Sequence, residues 1–151
     1  MKKLLLLLLI LPTTLLSQTF NELKMVNSLD GFIKVMIENK YEFNDVDEND
    51  NVSYGFNLVK DEENGNKSEK WGSYNEDGSW SIQFNDRKTI IYQRGDYDDI
   101  VESIKDKCSY VDIVDGLYVS YSCEESEFDG KIGFMISDSN GYIRYFPTTK
   151  E

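Results

Sequence analysis

The chain has 151 residues, with 28 acidic residues against 16 basic ones, a formal net charge of −12 and no histidine. A chain this acidic repels nucleic acid and anionic membrane surfaces, so its charged partners, another protein among them, are expected to be basic. Without histidine there is no Ser-His or Cys-His nucleophile pair and no His-ligated metal, and two cysteines outside any CxxC spacing exclude a cysteine-built zinc site.

The N-terminus has the layout of a signal peptide. Lys2 and Lys3 form a positive start, Leu4 to Leu11 an unbroken apolar run, and Ser17 a small residue at the cut. The apolar run is short of the roughly 20 residues that a membrane-spanning helix needs. The expectation is a leader over 1–17, a single domain over 18–151, and a secreted or periplasmic location. Frequent Asn, Lys, Ile and Tyr suggest a bacterial gene.

Residues 19–40 read as helical. Leu29, Phe32, Ile33, Met36 and Ile37 share one helix face, with Ser28 as N-cap. Beyond them, Val52, Tyr54, Phe56 and Leu58 alternate with Ser53, Gly55 and Asn57, as in a strand with one wet face. Two turn signals follow. A two-residue turn at Asn64-Gly65 pairs Leu58 with Trp71, and one at Asp77-Gly78 pairs Trp71 with Phe84 and Ser73 with Ile82. Both registers put Trp71 on the inner face with Phe56, Trp80, Ile82 and Phe84, and leave Gly72, Tyr74, Ser81 and Gln83 outside. Ile90 to Gln93 read as one more strand.

Asp96 is the expected N-cap of a second helix, with Tyr97, Ile100, Val101, Ile104 and Cys108 on one face and Asp98 and Asp99 in the first turn. A turn at Asp115-Gly116 then pairs Val114 with Leu117, Asp112 with Val119 and Tyr110 with Tyr121. It sets Cys108 opposite Cys123 in a hydrogen-bonded position, with Cα atoms about 5.5 Å apart. A disulfide there would pin the second helix to its sheet, and the alternative is two buried thiols. A last turn at Asn140-Gly141 pairs Ile136 with Tyr145, Ser137 with Arg144 and Met135 with Phe146.

This order specifies an α+β fold of two helix-plus-antiparallel-meander units, 19–94 and 95–151, in one compact domain. It resembles, in architecture alone, the tandem helix-plus-four-strand units of secreted inhibitors such as the β-lactamase inhibitor family. That resemblance implies an inhibitor-like binding role.

The loop Asn44 to Asn51 sets Asp45, Asp47, Asn49 and Asn51 at alternate positions, as calcium ligands are set. The pattern fails where Asp50 replaces the required glycine and Phe56 the required glutamate, so a solvated hairpin loop is expected. The acidic run Glu124, Glu125, Glu127 and Asp129 reads the same way. No metal or cofactor is expected, and neither a Ser-x-x-Lys nor a Gly-x-Ser-x-Gly motif occurs.

The informative asymmetry is in the second half, where both strand faces are apolar. One carries Tyr110, Val114, Leu117, Val119, Tyr121, Phe134 and Ile136. The other carries Val111, Ile113, Tyr118, Met135, Tyr142 and Phe146 beside Arg144. Either a helix covers that second set or it is exposed, and an exposed set of this composition reads as a protein-binding patch. The candidate surface is Tyr118, Met135, Tyr142, Arg144 and Phe146. The expected function is a non-catalytic binding or inhibitor-like module. The alternatives are a hydrolase acting through carboxylates, one of them with a raised pKa in a deep pocket, and an envelope-associated structural protein.

Overall fold

The computed structural model describes residues 18–85 and 95–148. The leader expected over 1–17 and the strand expected at Ile90 to Gln93 lie outside the described residues.

Three helices form. In α1 (Phe20–Leu23) the N-cap Thr19 and Glu22 bond reciprocally, the Thr19 N–H donating to Glu22 Oε2 at 2.7 Å. In α2 (Leu29–Glu38) Ser28 Oγ accepts the Gly31 N–H at 3.2 Å, as a capping serine does. Its buried stripe is Phe32, Val35 and Met36, while Leu29 and Ile37 are exposed, so the expected apolar face is rotated toward Val35. In α3 (Asp96–Lys107) Gly95, not Asp96, is the N-cap, so the helix begins one residue earlier than expected. Tyr97, Ile100, Val101 and Ile104 are buried; Asp98 and Asp99 stand in the first turn and Lys105 and Lys107 in the last, matching the helix dipole.

Eight antiparallel strands make one sheet. They are β1 (Tyr41–Val46), β2 (Val52–Phe56), β3 (Lys70–Tyr74), β4 (Trp80–Phe84), β5 (Ser109–Val114), β6 (Tyr118–Ser122), β7 (Gly130–Ser137) and β8 (Asn140–Pro147). Their order is β1-β2-β3-β4-β8-β7-β6-β5, so two four-stranded meanders meet along β4 and β8. The chain is thus a mixed α+β fold. Both edge strands carry a bulge, β1 between Phe43 and Asp45 and β5 between Tyr110 and Ile113. Bulges bend an edge away from pairing with a further strand.

Four registers differ from the sequence expectation, that of β5 and β6 through the β5 bulge. Between β2 and β3 the connection is a long loop. Phe56 pairs with Lys70, and Asp61 caps the tip by accepting from the Glu63 and Asn64 N–H groups. Between β3 and β4 the turn holds three residues, not two. The Asn75 N–H donates to Ser79 O at 2.8 Å, with Gly78 in the left-handed region at φ +81°. Tyr74 therefore pairs with Trp80 and Trp71 with Gln83. A one-residue slip moves every side chain to the other face, so Gly72 and Tyr74 turn inward and Trp71 turns out. Between β7 and β8 the turn is Asp138-Ser139, with Asp138 at φ 54°, and Met135 pairs with Tyr142 rather than Phe146. That shift is even, so the faces expected there survive.

The choice between Trp71 and Gly72 follows from helix packing. A Cβ on Gly72 would lie 2.5 Å from Met36 Sδ and 3.2 Å from Phe32 Cζ, so α2 packs closely on a position that glycine suits best. Gly72→Ala is expected to destabilise by about 1–3 kcal/mol, measured by chemical unfolding, because Met36 and Phe32 must shift. Trp80 and Ile82 fill the core beside them at 0% exposure. Tyr97 of α3 packs over Gly141 and edge-on to Phe84, with ring centroids 5.6 Å apart. Lys70 also faces this side, lying over the Phe56 ring at 4.8 Å and paired with Asp96 of α3. All three helices join the core on this one face.

Cys108, which ends α3, and Cys123, which follows β6, stand at disulfide distance with Cα atoms 4.5 Å apart. That is the spacing of a non-hydrogen-bonded pair, not the hydrogen-bonded one expected. The β5 bulge is the reason: Tyr110 still pairs with Tyr121, but Ile113, not Asp112, pairs with Val119, so alternation counted from the turn breaks. No helix among the described residues is long and apolar enough to cross a membrane.

Candidate functional site: the helix-free sheet face

Antiparallel registers place directly opposed residues on one face, which builds the second face of the sheet from its pairs. One row runs Gly55, Trp71, Gln83, Tyr142, Met135 across β2, β3, β4, β8 and β7. The next runs Ser53, Ser73, Ser81, Arg144, Gly133, Ser120 from β2 to β6. Phe146 and Lys131 pair beyond these, and Tyr118 precedes Ser120 by one pleat. No helix among the described residues packs on this face.

The five residues expected from the sequence are brought together here. Met135 and Tyr142 are directly opposed, and the Arg144 guanidinium lies 5.0 Å from the Phe146 ring centroid. Tyr118 meets Phe146 edge-on at 5.3 Å. Gly133 leaves the room for this, since a Cβ there would come within 3.0 Å of Tyr118 and 3.1 Å of Phe146. Tyr118 is buried and the other four are half-buried. Burial pushes the Tyr118 hydroxyl pKa up, opposed by the charge and hydrogen bond of Arg144. Within the set, Tyr118 and Phe146 therefore support each other.

Trp71 joins this surface although its sequence register put it in the core. The turn residues gave no signal for this, because the left-handed Gly78 serves a three-residue turn as readily as a two-residue one. The hydroxyls of Ser73 and Ser81 and the Trp71 indole N–H make no hydrogen bond within the described structure. Asp112, carried by the β5 bulge, accepts from Ser120 Oγ and from Lys131 Nζ at 2.7 Å, closing the rim of the face.

Two residues of the expected second set are elsewhere. The bulge turns Ile113 to the helix side opposite Val119, and leaves Val111 exposed at the sheet edge. In turn, several residues expected in the core are exposed: Tyr110 at 59%, Leu117 at 63% and Ile136 at 55%. The reason is reach. α3 packs against β8, and a cleft of about 330 Å³ opens between its Val101 and Lys105 and the strand ends at Leu117, Phe134 and Ile136.

A carboxylate hydrolase needs one carboxyl held protonated. The described carboxyls that depart clearly from their ordinary range all go the other way. Hydrogen bonds from Asn51 lower Asp47, those from Asn64 lower Asp61, those from Ser79 lower Asp77, and those from Lys131 and Ser120 lower Asp112. The loop read as calcium-like is such a self-contained turn, with Asp47 accepting from Asn49 and Asn51. Among the described residues no cluster of three or more potential metal ligands occurs.

No protein-family model matches this chain, and neither a curated protein nor a solved structure matches it significantly.

Proposed function

We propose that this chain is an exported, non-catalytic binding module that engages another protein through the helix-free face of its sheet. One observation carries the reading. Tyr142, Met135, Arg144 and Phe146 of β8 and β7 share one face with Trp71 of β3, across Gln83 and Ser81 of β4, and no helix among the described residues lies over it. Trp, Tyr and Arg anchor protein interfaces, and these side chains are half-buried, with part of their surface left for a partner to cover. The small neighbours Ser53, Ser73 and Ser81 keep it open to a partner. The paired cysteines and the leader-like N-terminus support a location outside the cytoplasm, secreted or periplasmic, where a disulfide persists. The meeting of two meanders along β4 and β8 supports the two-unit reading, in which each unit is a helical segment followed by four strands.

The test compares the wild-type chain with Trp71→Ser/Tyr142→Ser. The double variant is expected to keep its circular dichroism spectrum and cooperative unfolding while losing the partner captured from envelope and medium extracts by the wild type. Capture that survives both substitutions overturns the reading. Loss of the fold instead makes the two rings core residues.

A further inference from the structure

The chain as a whole is acidic, yet its helix-free face is not. By register, none of the outward positions from β2 through β6 carries a carboxylate: they are Ser53, Gly55, Trp71, Ser73, Ser81, Gln83, then the β8, β7 and β6 residues named above. The acids of this side stand at the edges, Glu42 and Asp45 on β1 and Asp112 on β5. Near the centre is Arg144, between Ser81 and Gly133.

Arg144 differs from Lys131 and Lys70, two other cations packed against the sheet. Lys131 on the same face holds Asp112, and Lys70 on the helix side holds Asp96. Arg144 has no carboxylate of the described structure within ion-pair distance, in a chain with 28 acidic residues to draw on. Its Nε is buried and makes no hydrogen bond. Asp77, in the β3–β4 turn, feels its charge, but that carboxylate is already taken up by the Ser79 N–H at 2.8 Å. A half-buried guanidinium, stacked on an aromatic ring, hydrogen-bonded to Tyr118 and with no carboxylate of the described residues at ion-pair distance, keeps N–H donors that can receive a carboxylate. The rings and Met135 around it exclude water from such a pair, which strengthens it.

We propose that Arg144 anchors an aspartate or glutamate side chain of the partner protein, set among apolar residues that cover Tyr142, Met135 and Trp71. This rests on the binding-module reading and names its partner's chemistry. It also runs against the bulk charge, which favours basic partners. Long-range repulsion and short-range attraction then oppose each other. Salt screens the first over about 8–10 Å and a buried contact pair much less, so association accelerates with added salt where ordinary electrostatic steering slows.

The experiment pans a random peptide display library against the full chain and titrates the enriched peptides by tryptophan emission. Enriched sequences are expected to carry Asp or Glu beside aromatic or aliphatic residues. Arg144→Gln is expected to weaken them about thirtyfold or more, with partial retention in Arg144→Lys, at an unchanged unfolding midpoint. Enrichment of basic or uncharged peptides overturns the proposal, as does equal binding by Arg144→Gln, or a selection that enriches nothing. If Arg144→Gln unfolds, Arg144→Lys and the salt dependence of the association rate decide, and a rate that falls with salt overturns it. A partner lost on Trp71→Ser/Tyr142→Ser but indifferent to Arg144→Gln sinks the carboxylate anchor alone. A partner indifferent to both sinks the binding face itself.

Discussion

Trp80→Ala is expected to destabilise the protein by about 3–5 kcal/mol, the range for emptying a fully buried large aromatic site, while Trp71→Ala is expected to cost about 1 kcal/mol. The two tryptophans stand three strand positions apart in pairing terms, on opposite faces of the sheet. Trp80 is 0% exposed, packs against Tyr145 and Phe128 with centroids 5.8 and 6.4 Å away, and donates its indole N–H to Val26 O at 3.4 Å. That last contact ties the sheet to the segment linking α1 and α2, so its loss adds to the cavity. Trp71 is half-buried on the helix-free face and holds no core contact of this kind. Urea unfolding of both variants reads the difference directly. Equal losses would mean that the β3–β4 register is the two-residue-turn one, with Trp71 inside.

Removing the Cys108–Cys123 link is the second large effect. Closing a loop of 15 residues is worth about 3 kcal/mol in the chain-entropy account. Reduction, or the Cys108→Ser/Cys123→Ser pair, is expected to lower the unfolding free energy by that amount. The hydrogen-exchange protection of α3 should fall first, because the link joins the end of α3 to the end of β6, the second strand of the hairpin that follows the helix. Alkylation with mass measurement before and after reduction supplies the thiol count. Two free thiols in the untreated exported protein would remove both the link and its support for an extracytoplasmic location.

The two effects divide the molecule. Stability resides on the helix side, in Trp80, Gly72 and the aromatic cluster with Tyr97 and Tyr145. The open face carries residues whose removal is expected to touch binding more than folding. Tyr118 and Phe146 lie between these classes, since they pack on each other over Gly133. For that reason Trp71 and Tyr142, not Phe146, are the substitutions that separate partner binding from folding.

What the sequence by itself determined is local. Apolar spacing located α2 and α3. Ser28 announced its cap. Asp77-Gly78 and Asp115-Gly116 marked real turns, and the two cysteines were placed across one hairpin. The even parity of the last hairpin also let Met135, Tyr142, Arg144 and Phe146 be assigned to one face despite a wrong turn position. β1 was not legible, because Glu42, Asn44 and Asp45 mask its alternation and its bulge interrupts it. Register and coverage were decided only by the tertiary structure. An Asp-Gly pair fits turns of two or three residues with similar backbone strain, and the one-residue difference decides whether Trp71 or Gly72 lies under α2. Glycine lets Phe32 and Met36 pack closely there, so helix packing favours the three-residue turn and delivers Trp71 to the open face. Likewise, strand periodicity says which residues share a side but not how far a helix reaches across it. α3 stops short of β5 and β6, and Tyr110, Leu117 and Ile136 therefore meet water on the very face that their pattern assigned to the core.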